Sequence, residues 1–196
     1  SRILPTEGWL NRIQEGKSRG PMEAFLHLIK QQVKARTNAP DSPYSIECTA
    51  EEFLPELEVA ARQLEKALGE LATPLTKLAK ILITRLEDDA EELDTATRQR
   101  IEAAVQGVSR RNAMMIKPWQ SILKGLADPT PENFVDWLGI EKSGGREIDL
   151  GYYRAWIDPT KPFAETLLKP AHGAVITSAT LRDQSEEDED WQSADF

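Results

Sequence analysis

The chain carries a single cysteine, Cys48, among its 196 residues. A disulfide within the chain is therefore excluded, as is a four-cysteine zinc or iron–sulfur site built from this chain alone. Such sparing use of cysteine fits a reducing compartment, and a cytoplasmic location is the expectation. Histidine is almost as scarce: His27 and His172 lie far apart and make no metal-ligand spacing. No apolar run approaches the roughly 20 residues that span a bilayer, so no membrane partner is expected. The start has no basic stretch followed by an apolar one, so no signal peptide is expected either. Positive charge is in deficit, 24 Lys and Arg against 33 Asp and Glu for a net charge of −9, which excludes a uniformly basic coat for nucleic acid. A local basic stripe survives that exclusion, because phosphate contact depends on where the cations stand and not on their sum.

Nucleotide-binding signatures are missing too. Gly16-Lys17-Ser18 has the ending of a phosphate loop, but the position that needs the first glycine is Asn11, and no apolar strand precedes it. Lys17 is therefore read as an ordinary loop lysine. No DEAH-type acidic box occurs. Cys48 has no basic neighbour in sequence that would activate it, and it is assigned no chemistry.

What is present is helical. After an irregular start, Gly20-Pro21 places proline at a first helical position, where its missing N–H does no harm. Met22, Phe25, Leu26, Ile29 and Val33 then follow at helical spacing. Asn38, Pro40, Asp41 and Pro43 break the pattern, and Tyr44–Cys48 reads as a short extended piece. Leu54, Leu57, Ala61, Leu64, Leu68, Leu71, Leu75, Leu78 and Leu82 next recur at steps of three and four, a seam that predicts a long helix packed on another. Pro74 is expected to kink or break it near Thr73. The acidic run from Glu87 to Asp94 predicts a hairpin tip. A second seam returns through Ile101, Val105, Val108, Asn112, Met115, Trp119, Ile122 and Leu126, with Pro118 expected to bend it. Asn112 on the seam predicts a device for fixing register. Asp128-Pro129-Thr130-Pro131 ends the rod, and Phe134–Leu138 reads as one further helical turn.

The texture changes from about Gly139. Gly144-Gly145 reads as a flexible break, and Ile148, Leu150 and Tyr152, then Tyr153, Ala155 and Ile157, alternate like short strands. Pro162 to Lys169 reads as a short helix ended by Pro170. Ala174-Val175-Ile176-Thr177 is a compact apolar run of the kind found in a buried parallel strand. From Arg182 onward Glu186, Glu187, Asp188, Glu189 and Asp190 make an acidic tail.

The run His172-Gly173-Ala174-Val175-Ile176-Thr177-Ser178-Ala179-Thr180-Leu181 resembles motif III of superfamily 2 helicases, in the form seen in the XPD/DinG family of ATP-dependent DNA helicases. The order of parts also resembles that family, in which a helical insertion, the arch, precedes motif III. The resemblance implies a mostly α fold: a long antiparallel helical hairpin plus a small α/β portion belonging to a RecA-like motor domain. It implies an arch-like insertion over residues 1–135, and over 136–196 a return into the motor domain with motif III and the acidic tail. Thr177, Ser178, Ala179 and Thr180 would couple ATP hydrolysis to strand separation, with Ser178 and Thr180 hydrogen-bonding the carboxylates of a neighbouring metal-binding motif. The parent would be a 5′-to-3′ helicase of DNA repair or replication that holds ATP and magnesium. This segment lacks the groups for either and is expected to bind neither, nor to hold an iron–sulfur cluster. Its partners would be single-stranded DNA and the remainder of the helicase chain.

Between Ala96 and Leu126 stand Arg98, Arg100, Arg110, Arg111, Lys117 and Lys124 against one acid, Glu102. These cations are the candidate track for a DNA backbone. The ordinary alternative is a solvated face whose cations pair with acids on the neighbouring helix. Trp119 is assigned to the core, while Trp9, Trp137 and Trp156 could stack on bases or pack inside. A rival reading of the whole chain is a non-catalytic helical module whose heptads join two copies.

Overall fold

The computed structural model describes residues 4, 5, 7–175 and 177. They divide into two units, 1–155 and 156–196, each taken by itself. In the first, helix α1 (Trp9–Gln14) is followed by α2 (Pro21–Arg36), which starts with proline in its first turn as the sequence predicts. Phe25, Ile29 and Val33, four residues apart, form its buried stripe. Strand β1 (Ile46–Thr49) leads to α3 (Pro55–Asp88). The N–H of Leu54 at that helix end donates to Gln32 Oε1 of α2 at 3.0 Å, which satisfies one of the donors that a helix start leaves open.

At 34 residues α3 extends about 51 Å. Its first half buries Leu57, Ala60, Ala61, Leu64 and Leu68; its second half buries only Ala79. Pro74 does not break it, contrary to the expectation from sequence. Thr73 and Thr76 donate their hydroxyls to the carbonyls of Gly69 and Ala72, each at 3.0 Å, and packing along the returning helices holds the rod through the missing N–H of proline. The tip falls at 89–94 within the acidic run. Asp94 caps α4 (Thr95–Arg111), accepting from the Thr97 amide at 3.0 Å and the Thr97 hydroxyl at 2.6 Å. These bonds hold its carboxyl below the usual range.

The return path is α4, a π-helical turn over Asn112–Ile116, and α5 (Lys117–Lys124). Its direction is antiparallel to α3: Asn112 Nδ2 donates to Thr76 Oγ1 at 2.8 Å, and further along Gln120 Nε2 donates to the Glu65 carbonyl at 3.5 Å. The helical hairpin expected from the two seams is thus formed. One detail differs. Met115 and Ile122 were the predicted seam positions, whereas Ile116 and Leu123 are buried and Met115 is 43% exposed. The π-turn explains the shift. Its wider pitch admits an extra residue, with the Lys117 N–H bonded to the Asn112 carbonyl, so Ile116 and Leu123 take the buried places expected of Met115 and Ile122, while Leu126 stays buried as predicted. Pro118 supplies the cause, since it has no N–H for the regular bond to Met114.

Phe134–Leu138 is not a helical turn. It opens strand β2 (Phe134–Ser143), whose Asp136, Leu138 and Ile140 alternate into the core. Short apolar runs of this kind fit either state by sequence, and pairing decides: β2 lies antiparallel to β1 with Ile46 opposite Ile140 and Thr49 opposite Trp137. The division expected after residue 135 therefore falls inside a hydrogen-bonded strand. Gly144 (φ 56°) and Gly145 (φ 77°) form the two-residue turn into β3 (Arg146–Trp156), so this pair is a hairpin turn and not a flexible break. The sheet order is β1-β2-β3.

In the second unit, α6 (Thr160–Phe163) and a π-turn over Ala164–Leu168 occupy the place of the short helix predicted before Pro170. Ala174, Val175 and Thr177 lie in no strand, and Val175 is 90% exposed. A parallel strand becomes buried only between neighbours and under helices, and the described sheet, being antiparallel, offers no such place.

Candidate nucleic-acid interface

Four of the sequence-predicted cations, Arg98, Arg100, Arg110 and Arg111, stand on α4, and Lys117 and Lys124 stand on α5. All are exposed. Arg98 pairs with Glu102 one turn along, at 3.5 Å. Arg100, Arg110, Arg111, Lys117 and Lys124 form no salt bridge among the described residues. The pairing with acids on α3 that the ordinary alternative expects is not seen among the described residues. Arg110, Lys117 and Lys124 recur every seventh residue, and Arg100 and Arg111 stand eleven apart, about three turns. The buried Asn112 and Ile116 mark the side of the rod that faces α3, which leaves the cations for solvent.

The π-turn adds a feature that the heptad pattern conceals. Met114 is 67% exposed, and both it and Met115 follow Arg110 and Arg111 by one turn. Only the proline at 118 signals in sequence that the seam shifts here.

A second cluster sits on the sheet. Arg154 holds Asp136 with two bonds of 2.7 Å, the Tyr152 hydroxyl donates to the same carboxylate at 2.6 Å, and the Thr130 hydroxyl does so at 3.0 Å. Burial pushes the Asp136 carboxyl up, but the bonds from Arg154, Tyr152 and Thr130 outweigh it and hold the group below its ordinary range. Burial and the Asp136 charge together push the Tyr152 phenol well above its own. Arg154 also lies 5.5 Å from the Phe134 ring centre. Both oxygens of the carboxylate are engaged within the fold, so the cluster is a clamp between β2, β3 and the loop before them. The sequence reading singled out none of its members for this role, because the match between Asp136 and Arg154 arises only from strand pairing.

On the other face of β2, Trp137 stacks on Tyr153 with ring centres 5.2 Å apart. Gly139 makes room for the tyrosine, as an added Cβ would meet its ring at 3.2 Å. Trp9 and Trp119 pack against the core. With Met22, Phe25, Leu26 and Tyr153 they also line an apolar cleft of about 350 Å³, where the charged group is Asp149. Among its described lining residues a phosphate would meet no cation, so the basic face of the hairpin is the stronger candidate. Among the described residues no group of His, Cys, Asp and Glu is placed to hold a metal. Thr177 is exposed; Ser178, Ala179 and Thr180 lie outside the described residues. Comparisons with protein-family models, with curated proteins and with solved structures found no match for the chain.

Proposed function

We propose that the chain is a segment of an ATP-dependent DNA helicase of the XPD/DinG kind, in which the helical hairpin is the arch-like insertion and its basic face carries single-stranded DNA. The supporting observation is the set of exposed cations on α4 and α5, of which all but Arg98 have no acidic partner among the described residues. Unpaired cations along one rod of an otherwise acidic chain suit a polyanion held by its backbone. The Thr177-Ser178-Ala179-Thr180 run that follows supports the same reading by its resemblance to motif III. On this reading the parts of the parent helicase outside this segment complete a RecA-like domain and hold ATP and magnesium in the cytoplasm.

The test is a titration of the chain with a fluorescent oligothymidine at several salt concentrations. The expected result is binding whose logarithm falls linearly with the logarithm of salt. Arg110→Glu with Arg111→Glu should flatten that slope by about 1.4, since each lost phosphate contact accounts for about 0.7 on single strands. Unchanged affinity and slope in this variant would remove the DNA track. In the intact protein, Thr180→Ala should leave ATP hydrolysis and slow strand displacement.

A second reading, a dimerisation module, draws on one observation. Helix α4 buries none of its residues, and Leu78, Ile81 and Ile83 of α3 are exposed. Sedimentation at several concentrations separates the two: a stable dimer that dissociates on Ile81→Lys favours the rival.

A further inference from the structure

The π-turn places two adjacent methionines on the outside of a rod, between cations. In an unbroken α-helix the seam would carry Met115 inward against α3, as the heptad pattern predicts. The extra residue of the turn puts Ile116 there instead and leaves Met114 at 67% and Met115 at 43% exposure. The turn is anchored from below. Asn112 is 6% exposed and bonded to Thr76 of α3, and Ile116 is 5% exposed. The methionines therefore stand on a fixed platform and not on a frayed helix end. Arg110 and Arg111 precede them by one turn and Lys117 follows, all exposed and without salt bridges among the described residues.

Resting on the DNA-binding reading above, we propose that the Asn112–Ile116 turn is a base-contact site for single-stranded DNA, in which Met114 and Met115 lie against unstacked bases while Arg110, Arg111 and Lys117 hold the flanking phosphates. Methionine suits this task. Its thioether is polarisable, makes favourable contacts with aromatic rings and adapts to any base. Apolar side chains, methionine included, serve as wedges at base steps in other nucleic-acid complexes. The cations dictate a polyanion, and the apolar pair between them dictates one with exposed ring faces. A duplex hides those faces in its stack, so the single strand is the ligand that uses both features. The methionine side chains carry no strong donor or acceptor for base edges, so their contact is tolerant of sequence.

The experiment compares the whole chain with Met114→Ala/Met115→Ala, Met114→Leu/Met115→Leu and Arg110→Glu/Arg111→Glu. Each is titrated with an oligothymidine, with an abasic oligonucleotide of equal length, and with an oligonucleotide carrying 2-aminopurine, whose fluorescence rises on unstacking. The unaltered chain should prefer the base-bearing strand and enhance the 2-aminopurine signal. The alanine pair should lose that preference and that enhancement, with affinity for oligothymidine falling about tenfold and the salt slope unchanged. The leucine pair should keep most of both. An alanine pair that binds and unstacks like the unaltered chain overturns the base contact, even if the glutamate pair still abolishes binding. A glutamate pair without effect overturns the DNA reading on which the proposal rests. Binding to phosphatidylserine vesicles that depends on the methionines, without base preference on DNA, would assign the surface to a membrane and overturn the proposal as well.

Discussion

Replacing Asp136 with asparagine tests how β2, β3 and the loop before them are held together. The Asp136 side chain is 2% exposed and that of Arg154 is 17%, and the two are joined by paired bonds of 2.7 Å. Asparagine keeps the shape and can still accept from Tyr152 or Thr130, but it removes the charge that neutralises the guanidinium. Breaking one partner of a buried pair costs about 3–5 kcal/mol, mainly because the survivor is left uncompensated. Arg154 retains some solvent and the Phe134 ring, so the lower end applies, about 3 kcal/mol. With a urea dependence of about 2 kcal/mol per molar, the unfolding midpoint followed by circular dichroism should drop by about 1.5 M. Tyr152→Phe removes one hydrogen bond and should lose about 1 kcal/mol. The stringent arm is the double replacement Asp136→Leu with Arg154→Met, which removes both charges and should recover most of the loss. An asparagine variant within about 1 kcal/mol of the parent, or a double variant as unstable as the single one, would refute the account of the clamp as a desolvated ion pair.

Three further outcomes follow from particular residues. Asp136 and Glu147 are both held below their ordinary range; for Glu147, burial raises the carboxyl, but bonds from Lys30 and Gln14 and the charges of Lys30 and Lys34 more than reverse it. A carboxyl with a lowered folded value stabilises above its unfolded value and loses that stabilisation as pH falls through the folded one. The urea midpoint should thus be flat from about pH 6 to 8 and decline below about pH 4.5, less steeply in the Asp136→Asn variant. Asn112 leaves its Oδ1 buried without a hydrogen bond, so Asn112→Leu should raise stability by about 1 kcal/mol, while loosening the register that native-state hydrogen exchange along α4 would report. Gly145 adopts φ 77°, so Gly145→Ala should lower stability by about 1–2 kcal/mol; no loss would mean that the hairpin turn adopts another form in solution.

The long rods, their antiparallel return and the acidic tip were legible because helix pairing leaves a periodic trace that any chain must carry to bury one face. Leu57, Leu64 and Leu68 appear in the predicted seam and are fully buried. The basic face was legible as well, since charge is a property of composition. Whether its cations were already paired was not, because an ion pair is a distance, and distances between helices belong to the packed molecule.

What the sequence settled alone, then, is what repeats along one element or marks its start: seams, the proline at a helix start, the cluster of cations. Tertiary structure decided what depends on two elements meeting. Pairing with β1 made Phe134–Leu138 a strand, packing along α3 carried the helix past Pro74, and the π-turn ahead of Pro118 turned Met115 outward and Ile116 inward. In the first two cases local preference differed between the alternatives by about 1–3 kcal/mol, and burial against a neighbour outweighed it; in the third the missing N–H of Pro118 and the burial of Ile116 act together.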